Sequence, residues 1–152
     1  METYLAETPD DFARAAALLV DFNTEYGDPA PPPEWLAGHW ASLVEQGTAI
    51  VPLIGRPAIG FGVLRLRTST WSAGLEGYLA ELYIRRADRA QGLGTLLLQF
   101  VIDQAKARGA TYLDLTTTTA DESAIALYEK FGFDCHEGKG KGPLSLYYEL
   151  DL

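Results

Sequence analysis

The residues best placed to do chemistry form one run, Arg85-Arg86-Ala87-Asp88-Arg89-Ala90-Gln91-Gly92-Leu93-Gly94-Thr95. An apolar stretch, Tyr78 to Ile84, leads into it, and a long amphipathic stretch leaves it. Two glycines stand where that second stretch should begin a helix. A glycine inside a helix costs about 1 kcal/mol relative to alanine, so the pair needs a reason. Without side chains, the first-turn N–H groups are bare, lack partners within the helix and carry the positive end of its dipole. That is the chemistry of an anion site. Arg85, Arg86 and Arg89 precede it in a chain of net charge −9. A purely structural glycine pair is the plainer alternative. The second reactive group is Glu81, a carboxylate inside the apolar stretch, with Tyr83 on the same side of a strand. It suits proton acceptance; otherwise it faces solvent or pairs with Arg85 or Arg86.

The elements that must position these groups can be read from patterning. Tyr4 to Ala6 opens a strand. Thr8-Pro9-Asp10-Asp11 predicts a capping box, and Phe12, Ala15, Ala16, Leu19 and Phe22 continue as a helix to about Gly27. The proline-rich Asp28 to Pro33 reads as a rigid corner. Trp35, Leu36, Trp40, Leu43 and Val44 make a second helix ending at Gly47, in which Trp35, His39 and Trp40 have a packing role. Thr48 to Ile54 and Ile59 to Arg67 read as antiparallel strands around a Gly55-Arg56-Pro57 turn, and Ser69 to Gly77 as a loop carrying Trp71. After the strand Tyr78 to Ile84, the helix Gly92 to Arg108 sets Leu93, Leu96, Leu97, Phe100, Val101 and Ala105 on one side. Tyr112 to Thr116 is a strand. Thr119-Ala120-Asp121-Glu122 reads as a second capping box before a helix from Ser123 to Lys130. Phe133 to His136 and Leu144 to Leu150 read as a closing hairpin. The expected fold class is α/β (α+β), a mixed and mostly antiparallel sheet in the order β-α-α-β-β-β-α-β-α-β-β. One βαβ unit implies one parallel pair.

The bulk properties bound the rest. A chain of 152 residues, 47% hydrophobic and 22% charged, fits one globular domain. Its acidity argues against nucleic acid as a partner and agrees with a cationic small molecule or simply with solubility. The single cysteine, Cys135, permits no intramolecular disulfide and no cysteine-based metal site, and it is expected in the core. No metal is expected. With no long apolar run or leader pattern, the expectation is a cytoplasmic protein without a membrane partner.

The phosphate loops differ in what they require. A Walker A loop needs a lysine that this run lacks. A dinucleotide fingerprint needs a third glycine where Leu97 stands, and a strand ending directly before the first glycine. The stretch Glu81-Leu82-Tyr83-Ile84 followed by Arg89-Ala90-Gln91-Gly92-Leu93-Gly94-Thr95 instead resembles the strand and R/Q-x-x-G-x-G/A loop of the GNAT superfamily of acyl-CoA-dependent N-acetyltransferases. Downstream, Ala124-Ile125-Ala126-Leu127-Tyr128-Glu129-Lys130-Phe131-Gly132-Phe133 resembles that family's second motif, A-x-x-L-Y-x-x-x-G-F. One helix and one strand separate the two motifs, as in the family, and the element order matches over nearly the whole chain.

The resemblance implies a single acetyltransferase domain over 1–152 and acetyl-CoA as co-substrate. It implies that Arg89, Gln91, Gly92, Gly94 and Thr95 form the pyrophosphate loop, mainly through backbone N–H groups, and that Leu82 and Ile84 offer main chain to the pantetheine arm. Asp121 stands where the family often has asparagine; an ionised carboxylate would repel phosphate, which leaves it a helix-start role. Tyr128 matches the tyrosine near the cofactor sulfur and would protonate the leaving thiolate. Glu81 would accept the proton of the attacking amine, of which about one molecule in 10³ is neutral at pH 7. The acceptor region implied by the family holds Glu25, Tyr26, Asp28, Trp71, Glu76, Tyr147 and Tyr148. Carboxylates and aromatics there suit a small cationic primary amine: a polyamine, an aminoglycoside or a lysine-like group. An acyl-CoA-binding sensor without fast catalysis is the alternative, and the sequence permits a homodimer.

Overall fold

The computed structural model describes residues 1–152, except the side chain of Lys139. The chain forms two compact units, Met1–Leu113 and Asp114–Leu152.

In the first unit, strand β1 (Thr3–Leu5) leads to helix α1 (Pro9–Glu25). The expected capping box is formed: Thr8 accepts from the Asp11 amide, and the Asp11 carboxylate accepts from the Thr8 amide at 3.0 Å. The fixed φ of Pro9 suits the first helical position. Helix α2 (Pro33–Glu45) follows the proline-rich corner and buries Leu36 and Trp40. Trp35 does not pack into the core. It is exposed and stacks on His39, one turn along, with ring centroids 4.7 Å apart.

The predicted strand Thr48 to Ile54 is divided into β2 (Ala49–Ile50) and β3 (Pro52–Ile54). Both pair antiparallel with β4 (Gly60–Thr68) in one continuous register. At the break, Pro52 has no N–H to give, and the Val51 carbonyl turns to accept from the Ala6 amide at 2.9 Å. Strand β5 (Leu75–Ile84) pairs antiparallel with β4, starting earlier than the glycine at 77 suggested. The sheet order is β1-β3-β4-β5-β6, with β6 (Ala110–Leu115) beside β5 and helix α3 (Leu93–Ala107) connecting them. This is the neighbour relation that the βαβ unit requires.

Two apolar layers cover the sheet. On one face, Phe12, Ala15, Ala16, Leu19, Leu36 and Trp40 of the first two helices pack on Phe61, Val63 and Tyr83. On the other, Leu93 and Leu97 of α3 pack on Ile54, Leu82 and Ile84. The buried stripe of α3 differs slightly from expectation: Leu98 is fully buried, while Leu96 is 48% exposed. Strand β4 is covered on both faces, so Phe61, Val63 and Leu64 are all buried and simple alternation fails there.

In the second unit, helix α4 (Glu122–Lys130) starts at Asp121, not Thr119: the Asp121 carboxylate accepts from the Ala124 amide at 3.2 Å. Gly132, at φ +90°, follows its end. The expected closing hairpin reduces to a single bridge, His136 to Leu144, around the short helix α5 (Glu137–Gly140). Residues 145–152 are irregular, and Tyr147 and Tyr148 are exposed. Cys135 is likewise exposed, against the expectation of a core position. Asp134, Cys135 and His136 bring one ligand atom each within 4.8 Å of one another, all on exposed side chains. Among the described residues, no helix is long and apolar enough to cross a membrane.

Candidate active site

The site is built where β5 runs into α3. Strand β5 carries a bulge. Val63 faces Glu81, yet Leu64 faces Leu79, so Ala80 has no opposite residue on β4. The bulge decides where Glu81 points. In a regular strand Glu81 would share the face of Leu79. The extra residue shifts the phase, and Glu81 sits with Tyr83 on the face covered by α1 and α2. Glu81 is half-buried, with Val63 opposite it, and no hydrogen bond or ion pair reaches its carboxylate among the described residues. Burial disfavours the charged form and pushes its pKa up from the usual carboxylate range to about 7. A carboxylate poised there can be ionised at neutral pH and still hold a proton firmly.

Leu82 and Ile84 point the other way, into the α3 layer. Their side chains are committed to packing, so main chain is what this stretch can offer a ligand. A short 3-10 turn (Arg86–Asp88) follows, closed by an Arg85–Asp88 ion pair at 2.6 Å. The chain then passes through two left-handed residues, Ala90 at φ +63° and Gly92 at φ +76°. Gly92 is the residue before α3. Positive φ explains a glycine there, and a Cβ added to it would meet nothing within 4 Å, so the space above it is open.

Helix α3 shares an uncapped start with α2, whose first turn carries Glu34, but lacks any acidic residue there. Helix α1 has a capping box and two acidic residues in its first turn, and α4 is capped by Asp121. Helix α3 has no capping side chain and no acidic residue in its first turn. Gly94 and Thr95 lie in that turn, and Gln91 is exposed just before it. An uncapped start with no nearby carboxylate in its own turn keeps the dipole's positive end available to an anion.

The Arg89 side chain is engaged within the protein, which leaves its backbone for the loop role expected of it. Its guanidinium makes a two-pronged pair with Glu25, Nη1–Oε1 at 2.6 Å and Nη2–Oε2 at 2.8 Å. Its Nε donates to the Ile84 carbonyl at 2.9 Å, and the group lies 5.4 Å from the Tyr83 ring centroid. The pairing holds the Glu25 carboxyl below the usual carboxylate range and raises Arg89. Glu25, expected to meet the acceptor, is thus engaged within the protein. Glu76 is too: Arg67 donates to it at 2.5 Å. Tyr26 is exposed at the end of α1, edge-on to Phe22, and Trp71 is 92% exposed on the loop before β5. Asp28 is exposed in the corner after α1.

Tyr128 lies in the second unit, half-buried on α4, with its ring edge-on to Phe133 at 5.8 Å. The A-x-x-L-Y-x-x-x-G-F residues there form one helix and its stop. Sequence reasoning missed the bulge at Ala80 and the Glu25–Arg89 pair. The first leaves no residue signature. The second joins residues 64 apart in the chain, and only the surplus of arginine in an acidic chain hinted at it.

The family model described as the acetyltransferase (GNAT) family matches residues 13–133. Among solved structures, a provisionally assigned acetyltransferase from Arthrobacter sp. FB24 is 35% identical, with a TM-score of 0.87 covering 99% of this chain and 96% of that one. N-alpha-acetyltransferase 30 of Schizosaccharomyces pombe is 42% identical over 59 residues, 39% of each chain. Thialysine N-epsilon-acetyltransferase of Sus scrofa is 29% identical over 96 residues, 60% of this chain and 56% of its own. The aligned regions thus span between 39% and 56% of these two curated relatives' length.

Proposed function

The chain belongs to the acetyltransferase (GNAT) family and is an acyltransferase, and we propose that it moves an acetyl group from acetyl-CoA to a primary amine of a small cationic acceptor. The observation that carries this reading is Glu81: a half-buried, unpartnered carboxylate with a pKa near 7, on the same strand that leads into an uncapped helix start. We treat residues 1–152 as one catalytic domain, because the family match at 13–133 runs across both compact units.

In this reading the first-turn amides of α3, with Gln91, Gly92, Gly94 and Thr95, receive the pyrophosphate, and the main chain at Leu82 and Ile84 receives the pantetheine arm. The amine nitrogen attacks the thioester carbonyl carbon, forming the C–N bond as the C–S bond breaks. Glu81 takes the amine proton. The thiolate takes a proton from the Tyr128 hydroxyl, which suits that step because a phenol near pKa 10 is neutral at pH 7. Three things support a cationic amine as acceptor. The chain is strongly acidic, exposed Tyr26 and Trp71 are suited to cation–π contact, and one relative is a thialysine N-epsilon-acetyltransferase. Because Glu25 and Glu76 are occupied by arginines, the aromatics and Asp28 carry more of that recognition than the carboxylates do.

The test has two steps. Acetyl-CoA in thermal shift should stabilise the protein by about 2.7 kcal/mol at 100-fold over its dissociation constant. A panel of polyamines, aminoglycosides and lysine analogues, read by CoA release, should then show turnover. No shift with CoA or acetyl-CoA refutes the donor assignment. A shift without turnover on any amine identifies a binding module, and turnover restricted to neutral or acidic amines refutes the acceptor class.

A further inference from the structure

We propose that Glu25 is a positioning residue for the donor: its two-pronged pair with Arg89 ties the end of α1 to the loop before α3 and so sets the place of the pyrophosphate cradle. The inference rests on the donor reading above.

The connections are specific. Arg89 is held at three points, two prongs to Glu25 and one bond from Nε to the Ile84 carbonyl. Its face lies toward the Tyr83 ring, which stacks on Phe22 of α1 with centroids 4.8 Å apart. Every donor used is on the guanidinium. A planar fork of this kind fixes direction as well as distance, which a lysine would not do. The loop needs such a fixture. Between Ile84 and Leu93 it has only one short 3-10 turn, and two of its residues are in the left-handed region. Ala90, next to Arg89, pays for that conformation without the freedom of glycine. The side chains of Glu25 and Arg89 are 17% and 38% exposed, so water weakens the charge part of the pair and its two-pronged geometry matters more. Arg89 accordingly serves the anion through the shape of the loop, and its side-chain charge is spent on Glu25.

A consequence is that α1, which with α2 covers the Glu81 face, is mechanically joined to the donor loop. Glu25→Gln removes the charge while keeping the shape, and Arg89→Gln removes the fork. Each is measured as folded protein, with acetyl-CoA affinity from calorimetry and kinetics of both substrates. The expected result for Glu25→Gln is a loss of about tenfold in acetyl-CoA affinity, with kcat and acceptor KM within about twofold of wild type. The double variant should be no worse than either single one, because the two residues act as one unit. Additive losses, or an unchanged acetyl-CoA affinity in Glu25→Gln, overturn the proposal. So does a rise confined to acceptor KM, which would return Glu25 to the acceptor. If Arg89→Gln does not fold, Glu25→Gln alone decides. Failure of the wild-type protein to bind acetyl-CoA is a different outcome, which removes the donor reading itself.

Discussion

Replacing Glu81 with glutamine should change how stability depends on pH, whatever it does to activity. The folded protein holds the Glu81 carboxyl at about 7 against an ordinary value of 4.5, and burial is the cause. Below 4.5 the group is protonated in both folded and unfolded chains and contributes no difference. Between 4.5 and about 7 the folded chain keeps a proton that the unfolded chain has released, so stability falls as pH rises. Above about 7 the buried charge is present in full. At about 1.4 kcal/mol per pH unit, the whole interval is worth about 3 kcal/mol. Between about pH 5 and about pH 8 most of this, about 2–3 kcal/mol, is realised. Glutamine does not titrate, so Glu81→Gln should lack this slope. Urea unfolding of both proteins at the two pH values reads it directly. The difference between them should move by about 2–3 kcal/mol in favour of the variant at the higher pH. For a chain of this size that is about 5–10 °C in Tm. Parallel stability curves would refute the assignment of a desolvated, unpartnered carboxylate. The same ionisation should appear in the wild-type kcat/KM profile as an ascending limb near pH 7, absent from the variant, whose rate should be lower by about 10²-fold or more.

Three further outcomes are expected. Tyr128→Phe should lower kcat by about 10²-fold with little change in acetyl-CoA affinity; steady-state kinetics that retain full turnover across pH would remove the hydroxyl from the reaction. Gly92→Ala places a Cβ at φ +76° and in the open space before α3, so calorimetry should show weakened acetyl-CoA binding and urea unfolding a loss of about 1 kcal/mol. Thr8→Ala removes the side-chain half of the α1 capping box and should cost about 1 kcal/mol in urea unfolding, with catalysis nearly unchanged.

Much of this arrangement was legible in the residues because its causes are local. Thr8, Pro9 and Asp11 specify the start of α1 by themselves, and the two glycines mark the start of α3. What was not legible depends on meetings between distant parts of the chain. Glu25 reads from the sequence as an acceptor carboxylate, as does Glu76, and their arginine partners, Arg89 and Arg67, emerge only when the chain folds. The division at Val51 depends on which neighbour takes its carbonyl. The C-terminal segment shows the opposite error. Leu144, Leu146, Tyr148 and Leu150 alternate as a strand would, but alternation supplies only a face, and a strand also needs a partner edge. Here a single bridge at His136 to Leu144 is formed.

The unpaired Ala80 carries a consequence for how this strand can change over time. It splits β5 into two stretches whose inward and outward positions are set independently. Mutations that swap large and small residues in Leu75 to Leu79 act on one phase, while Glu81 to Ile84 keep theirs. A deletion at Ala80 would remove the bulge and leave the faces as they are, with Leu79 still opposite Leu64 and Glu81 still opposite Val63. A deletion elsewhere in the strand that left the bulge in place would instead turn the positions beyond it to the other face. Outside Ala80 the length of β5 is therefore as much a part of the arrangement as its composition, and a lineage can lose a residue at the bulge more freely than anywhere else in the strand.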